Sequence, residues 1–278
     1  MKFSILIAHF NNSVFFKDCY QSIVNQTSAN WEAIVLDDGS EEHEKLAVQK
    51  LIANDPRFQY YENEKNSGVG FTKAKLIELA TGEICGFLDP DDALTETAIE
   101  TAMANLIKDQ SIVLTYSRLM FCDSHLKPQK TNSAAKQILN DNLYFFNAPI
   151  TINHFVCFKK AVYEKTEKID ASKKIAEDQD LYLKMYEKGK VKFIDEINYL
   201  YRTHNRGISQ NENKKKSYEY WGEVIFNTMK RRGLKTINGK KIPENFVDSQ
   251  EIFDLLKYQT GLKYRLLSKL KSIFQTAF

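Results

Sequence analysis

What the chain lacks excludes several classes of protein. Its four cysteines are far apart and form no CxxC pair, which argues against a zinc site or a disulfide framework and suits a reducing compartment. No apolar run approaches the ~20 residues that span a bilayer, and the N-terminus enters a strand-like run with no signal-peptide pattern. The net charge of +3 is too small to indicate a nucleic-acid partner. We therefore expect a cytoplasmic protein that binds no nucleic acid.

The first third of the chain alternates between two kinds of pattern. Strands are predicted at residues 3–8, 31–36, 58–62 and 84–88, of which 3–8 and 84–88 are apolar runs typical of buried strands. Between them, apolar residues recur at helical spacing over residues 14–26, 42–53 and 69–80. Alternation of this kind predicts an α/β fold with a parallel sheet and right-handed crossovers.

The rest of the sequence predicts further strands of the same sheet and then a segment that is helical. Strand-like patterns occur at residues 111–122, 150–158 and 191–201, and the polar stretch 123–142 between them is typical of a loop or a flap. From residue 217 onward the pattern is helical, with predicted helices at 218–232, 246–257 and 261–278. No internal repeat is present. The sequence thus predicts one α/β domain followed by a C-terminal helical extension.

Acidic residues follow the predicted strand 84–88 immediately, at Asp89, Asp91 and Asp92. Strands of an open α/β sheet present their carboxyl ends to the ligand, so these carboxylates should line a cleft. Carboxylates held this close repel one another unless a cation shares them, and hard oxygen ligands suit Mg²⁺ or Mn²⁺. The alternative is an acidic turn that caps the next helix.

A second acidic pair, Asp37 and Asp38, follows the strand 31–36. Either one carboxylate accepts a hydrogen bond from a base N–H or a ribose hydroxyl, or both are turn and cap residues. The loop 66–70 leads into a helix, whose N-terminal N–H groups favour a phosphate, although an ordinary capped turn has the same pattern. Lys73, on the first turn of that helix, is either a phosphate-side cation or a solvated lysine.

A third acidic pair, Glu177 and Asp178, opens the helix that follows residue 176. Asp178 precedes the inward positions Leu181, Tyr182 and Met185 by about one turn, so at helical spacing it shares their buried face. The pattern alone also fits a first-turn acid that stabilises the helix dipole.

Taken together, these motifs resemble the glycosyltransferase family 2 pattern. They occur in the order ILIAHFN, LDDGS, NSGVGFTKAK, TGEICGFLDPDD, EDQDLYLKMYEKG and YRTH, and they span most of residues 3–204. The resemblance implies a GT-A fold, which is a Rossmann-like, mostly parallel mixed sheet flanked by helices. It implies a catalytic domain at residues 1–210, with a nucleotide-sugar half at 1–117 and an acceptor half at 118–210. Residues 211–278 would then be the helical extension.

The resemblance also implies roles for individual residues. Asp91 would hold Mg²⁺ or Mn²⁺, with Asp89 beside the ribose or on the same metal and His204 as a further ligand. The implied nucleotide-sugar contacts are Ala8, His9, Phe10, Asn11, Asp37, Asp38, Asn66, Gly68, Lys73, Asp89 and Pro90. The family commonly has proline at the position of Ala8, a small polar residue at that of His9 and arginine at that of Lys73. These departures concern the identity of the donor.

By the same resemblance, Asp178 is the catalytic base and Glu177 positions the site or the acceptor. The implied reaction is inverting transfer of a hexosyl or N-acetylhexosaminyl group from a UDP-sugar to a saccharide or lipid-linked hydroxyl, in cell-surface polysaccharide synthesis. A sugar-phosphate nucleotidyltransferase is an alternative, but it needs a glycine-rich loop after the first strand, and HFNNSV has no glycine. A non-catalytic nucleotide-sugar-binding module would lack the base.

The last predicted helix combines an apolar face with cations and no acid. Residues 262–278 place Leu266, Leu270, Ile273 and Ala277 on one side, and carry four lysines or arginines. This is the signature of a helix that lies in a membrane interface, which would place the protein on the inner face of the membrane. The alternative is a helix that packs on its own domain or on a second subunit of a homodimer.

Overall fold

The structure is a computed structural model that describes residues 1–204 and 214–262, together with residues 264, 266, 267 and 271. Its first elements follow the predicted order closely. They are β1 (Phe3–His9), α1 (Ser13–Val24), β2 (Trp31–Asp37), α2 (Glu42–Ile52), β3 (Phe58–Glu62), α3 (Val69–Leu79) and β4 (Ile84–Phe87). Every residue of β1 except Ala8 is buried, as is every residue of β2, because helices cover both faces of these strands.

The second part of the domain continues the sheet with longer and shorter strands. Its elements are β5 (Ala93–Leu94), α4 (Ala98–Lys108), β6 (Ile112–Cys122), β7 (Pro128–Thr131), β8 (Cys157–Lys159), α5 (Lys160–Tyr163), α6 (Glu177–Tyr186) and β9 (Lys190–Arg202). The extension consists of α7 (Lys214–Arg231), β10 (Thr236–Ile237), β11 (Lys240–Lys241) and α8 (Ser249–Leu256), followed by a 3₁₀ turn at Lys257–Thr260.

One mixed sheet runs through the domain in the order β3-β2-β1-β4-β8-β6-β9-β5, with β7 paired to β6. The pairs β1–β2, β2–β3, β1–β4 and β6–β9 are parallel and contain most of the paired residues. The short strand β8 lies antiparallel between β4 and β6 and so joins the two halves. The predicted mixed, mostly parallel sheet is confirmed.

Two apolar clusters lie on opposite faces of this sheet. Phe16 of α1, Val48 of α2 and Ile99 of α4 belong to the cluster on one face. Leu76 of α3 and Leu181 of α6 belong to the cluster on the other. The helices that carry the Lys73 and Glu177–Asp178 motifs therefore share one face of the sheet.

Three local predictions were wrong or incomplete. Residues 150–158 alternate like a strand, but only Cys157–Lys159 pairs in the sheet. The side chain of Asn147 accepts the N–H groups of Thr151 and Ile152, both at 2.8 Å, and these local bonds replace a strand ladder. The predicted loop 123–142 contains β7. Helix α4 was not predicted, although its buried Ala98, Ala102 and Leu106 recur at helical spacing.

The C-terminal extension has a small core of its own. Ile225 and Met229 of α7 pack with Ile252 and Leu255 of α8, and Phe146 from the main domain joins them. Most of the predicted helix 261–278, including Leu270, Ile273 and Ala277, lies outside the described residues. Within the part of the chain that the structure describes, no helix is both long enough and apolar enough to cross a membrane.

Glu32 joins three strands at the amino ends of β1, β2 and β4. Its carboxylate accepts hydrogen bonds from Ser4 Oγ at 2.6 Å, the Thr81 N–H at 2.7 Å and Lys2 Nζ at 2.6 Å. Burial alone would raise the pKa of Glu32, but these bonds outweigh it and lower the pKa to about 2. The carboxylate therefore stabilises the end of the sheet opposite the acidic strand ends.

Replacing Glu32 with Gln should lower the free energy of unfolding by about 1–3 kcal/mol at pH 7, because buried donors lose an acceptor. A free glutamate has a pKa of ~4.3. Because the folded-state pKa is lower, the stabilisation is complete above the unfolded pKa and is lost as the pH falls towards 2. Urea unfolding of both proteins between pH 7 and pH 3 measures this.

The matched control is Glu62→Gln, which removes an exposed carboxylate paired with Lys45. An exposed pair contributes ~0–1 kcal/mol. Equal losses in the two variants, or a Glu32 effect that is independent of pH, would contradict the assignment.

Candidate active site

The predicted polar motifs meet at one edge of the sheet. His9 and Asp37, the last residues of β1 and β2, lie opposite each other in the parallel register. The acids Asp89, Asp91 and Asp92 follow β4, which pairs with β1 on its other side. The carboxyl ends of these three strands therefore form the place where an open α/β sheet binds its ligand.

His9 and Asp37 point into the protein. The Nδ1 atom of His9 lies 2.8 Å from Asp37 Oδ2, and Asp37 Oδ1 accepts the N–H of Ser40 at 2.8 Å. Neither side chain is exposed. As the structure places them, they hold the loop after β2 against β1, whereas Phe10, the next residue along, is 46% exposed.

Asp38 holds a different loop, the one that leads into α3. Its carboxylate accepts Asn63 Nδ2 at 2.8 Å and the N–H groups of Ser67 and Gly68, both at 2.9 Å. The loops approach so closely that a Cβ atom at Gly39, whose φ is 79°, would lie 2.6 Å from the Asn66 nitrogen. Because Ser67 and Gly68 donate to Asp38, the structure favours a turn capped from a neighbouring strand over free N–H groups that await a phosphate.

The turn after β4 concentrates negative charge. Asp92 is buried and accepts the N–H of Arg202 at 2.7 Å, while Asp89 and Asp91 are partly exposed. Burial, followed by the charges of Asp89 and Asp91, raises the pKa of Asp92 well above its usual range. Asp92 is thus a structural member of the cluster, whereas Asp89 and Asp91 remain partly accessible.

Arg202, at the end of β9, braces this turn and was missed by the sequence reasoning. Its Nε donates to the Asp91 carbonyl at 2.6 Å, Nη1 to the Ser124 carbonyl at 2.6 Å and Nη2 to Asp18 Oδ2 at 2.6 Å. The guanidinium also lies over the Phe15 ring, 4.6 Å from its centroid. In the sequence, Arg202 belongs to the YRTH motif and lies two residues before His204, and this position could have indicated a role near the site.

Asp91 and His204 are the two predicted metal ligands that the structure brings together. Asp91 Oδ2 lies 2.7 Å from His204 Nε2. Burial and then the charge of Asp89 raise the pKa of Asp91, against the hydrogen bond from His204. Among the residues that the structure describes, no three His, Cys, Asp or Glu side chains form a metal-holding group. A hard cation here would therefore need oxygen ligands from a bound molecule as well.

Lys73 of α3 and Glu177 of α6 form a buried ion pair, with Nζ 2.6 Å from Oε1 and both side chains more than nine-tenths buried. Burial would lower the pKa of Lys73, but the charges of Glu177, Asp89 and Asp178 outweigh it and raise the pKa well above its usual range. Lys73 is therefore not a solvated lysine, and it lies among acids from both halves of the domain.

Asp178 is half-buried at the N-terminus of α6, where its Oδ1 accepts the N–H of Gln179 at 2.7 Å. Burial and then the charges of Asp178, Asp89 and Glu177 raise the pKa of Tyr182. The pKa values of Lys73 and Tyr182 are thus both raised by the charges of the same three carboxylates, which are Glu177 and Asp178 of α6 and Asp89 of the turn after β4. The predicted base and the acidic turn share one neighbourhood.

Comparison with known proteins places this geometry in a family. The family model described as "Glycosyl transferase family 2" matches residues 4–166, more than half of the chain. A chondroitin synthase of Escherichia coli is 28% identical over 237 residues, which are 84% of this chain and 33% of that protein. The chain therefore spans about a third of that relative's length.

Solved structures share the architecture at lower identity. Residues 1–349 of S. aureus TarS, in complex with UDP-GlcNAc, superpose with a TM-score of 0.67 at 16% identity, over 92% of this chain and 70% of that chain. The mannosyltransferase PcManGT from Pyrobaculum calidifontis, in complex with GDP-Man and Mn²⁺, gives a TM-score of 0.57 at 12% identity, over 98% and 84%. The fold is the GT-A fold expected from the sequence.

Replacing Arg202 with Met should lower the free energy of unfolding by about 2 kcal/mol or more, because the carbonyls of Asp91, at the turn, and Ser124, after β6, lose their donor. The control is Arg57→Met, which removes a guanidinium that pairs with Asp55 and lies over Trp31, away from the acidic turn. Thermal unfolding of both variants tests this. An Arg202 variant no less stable than the Arg57 variant would show that the brace contributes little.

Proposed function

The chain belongs to glycosyl transferase family 2 and is a glycosyltransferase, and we propose that it moves a sugar from a nucleotide-diphosphate donor to a hydroxyl of a growing polysaccharide. One observation carries this proposal. Carboxylates from the two halves, Asp89 on one side and Asp178 on the other, lie around the buried Lys73–Glu177 pair, and their charges raise the pKa of Lys73. Transfer needs both, because one set serves the donor and the other activates the acceptor.

The donor we propose is a UDP-sugar that carries a hexose or an N-acetylhexosamine. TarS, which shares the fold, was solved with UDP-GlcNAc, and chondroitin synthase, which shares the family, is named for a polysaccharide product. In this chain the exposed Phe10 and the loop held by Asp38 lie at the carboxyl ends of β1 and β2, where a nucleoside would bind.

A divalent cation, Mg²⁺ or Mn²⁺, would be held by Asp91 and His204, with Asp89 adjacent. The residues fit such an ion because Asp91 Oδ2 and His204 Nε2 lie side by side, 2.7 Å apart, so that one cation could contact both atoms. Burial and then the charge of Asp89 raise the pKa of Asp91, and a bound cation would stabilise its ionised form against both. When bound, the cation would act as a Lewis acid that stabilises charge on the departing diphosphate.

Asp178 is the proposed general base. Glu177 already bonds to Lys73 Nζ at 2.6 Å, which leaves Asp178 as the carboxylate of this pair that can accept a proton from the acceptor. As the proton moves to Asp178, the acceptor oxygen bonds to the anomeric carbon and the bond from that carbon to the diphosphate oxygen breaks. The electron pair leaves with the diphosphate, and a single displacement inverts the anomeric configuration. Glu177 and Lys73 hold the helix that carries the base.

Replacing Asp91 with Ala should remove the dependence of donor binding on the metal. We expect Mn²⁺ to strengthen UDP binding by the wild type on the order of tenfold, ~1.4 kcal/mol, and to have little effect on the variant. Calorimetric titration with UDP, with and without Mn²⁺, measures this. Asp254→Asn, in the extension, is the control, since Asp254 bonds to Lys257 and Gln250 of its own helix and turn. Full activity of the wild type in excess chelator would refute the metal assignment.

Replacing Asp178 with Asn should separate catalysis from binding. Asparagine is nearly isosteric but cannot take the acceptor's proton, so transfer should fall by ~100-fold or more. UDP affinity should stay at the wild-type value. Asp195→Asn is the control, because Asp195 is an exposed residue paired with Arg118. If transfer by the Asp178 variant stays within a few-fold of wild type, another residue is the base.

A further inference from the structure

We infer that Lys173 is a positioning residue that couples helix α7 of the C-terminal extension to the proposed base, so that the extension is part of the catalytic unit. The inference rests on the proposed function, because it assigns a role relative to Asp178. Lys173 lies in the segment that enters α6, four residues before Glu177. Its side chain is buried, although it is neither a donor contact nor a proposed catalytic residue.

Lys173 contacts two different helices at once. Its Nζ lies 2.6 Å from Glu223 Oε2 on α7, and its carbonyl oxygen accepts the N–H of Gly70 on α3 at 3.2 Å. The approach to α3 requires glycine, since a Cβ atom at Gly70 would lie well inside van der Waals contact with that carbonyl. Lys173 is therefore held between the helix of the donor half and the helix of the extension.

The contact with α3 is continuous with the ion pair of the site. Gly70 and Lys73 are three residues apart and share a face of α3. Gly70 holds Lys173, and Lys73 holds Glu177. The segment between Lys173 and Glu177 is thus fixed at both ends by one helix, and Asp178 follows directly.

Helix α7 contacts the segment between Lys173 and Glu177 on the side away from α3. Val224, next to Glu223, packs in a small apolar cluster with Ala176 and Leu183. Ala176, the residue just before Glu177, has a left-handed backbone with φ 64°, a conformation that disfavours alanine by roughly 1 kcal/mol. The packing of Val224 and the ion pair between Glu223 and Lys173 therefore help to stabilise the left-handed conformation at Ala176, just before Glu177.

The far end of α6 is also attached to α7. Glu187, just after α6, accepts Arg231 Nε at 2.6 Å and Arg232 Nε at 2.8 Å. One helix of the extension thus holds α6 at both ends. A displacement of about 1 Å at a reacting group can lower a rate by ~100-fold. Losing the contacts between α7 and α6 could therefore slow transfer by shifting Asp178.

The test uses two identical substitutions, one turn apart on α7, in the 278-residue chain. Glu223→Gln weakens the contact with Lys173. Glu219→Gln is the matched control, because Glu219 accepts the Ser249 N–H at 3.1 Å and so acts within the extension. We expect Glu223→Gln to speed amide hydrogen exchange in the peptide 168–180 and to lower kcat about tenfold or more, with the donor KM unchanged. Glu219→Gln should do neither.

Charge reversal provides the second arm. Lys173→Glu and Glu223→Lys should each lower kcat, and the double variant, which restores an ion pair, should recover most of it. Unchanged exchange over 168–180 in Glu223→Gln, or a double variant no better than the single ones, would overturn the inference. Hydrogen exchange needs no substrate, so it reports on this inference even if the wild type transfers no sugar, a result that would instead count against the proposed function.

Discussion

The Lys73–Glu177 ion pair is the constraint on which the rest of the site depends. Removing two opposite charges from water costs several kcal/mol per ion unless they pair closely, so a folded chain that buries both must bring α3 and α6 together. The partners lie 104 residues apart, one in each half of the domain, and their atoms are 2.6 Å apart. Asp178 follows Glu177 directly, so the pair also fixes where a base can lie relative to the acidic turn.

Three carboxylates, those of Asp89, Asp91 and Asp92, lie close together at the turn after β4. The guanidinium of Arg202 bonds to main-chain oxygens of Asp91 and Ser124 and to the carboxylate of Asp18, and so it fixes the turn while leaving the carboxylate of Asp91 to His204. The pKa of Asp91 is raised in consequence of burial and of Asp89. A divalent cation would offset this charge, and the oxygens of a bound diphosphate would complete its ligand set, as the proposed chemistry requires.

The sequence predicted the parallel half of the sheet well because its apolar runs and terminal acids are local signals. It placed Asp178 and Asp91 in one site only through the order of motifs, since no local pattern joins residues so far apart. It missed that Lys73 pairs with Glu177 and that Arg202 braces the turn, because both depend on long-range packing. The strand predicted at 150–158 was wrong because the N–H groups of Thr151 and Ile152 donate to the Asn147 side chain instead of to a neighbouring strand, an effect that alternation cannot reveal.

A crystal structure with UDP and Mn²⁺, in which anomalous scattering locates the manganese, would test the proposed site directly. We expect a manganese peak bonded to Asp91 and His204 and to diphosphate oxygens, with Lys73 still paired to Glu177 and Asp178 facing the diphosphate. Manganese bound away from Asp91, or UDP bound away from the carboxyl ends of β1, β2 and β4, would contradict it.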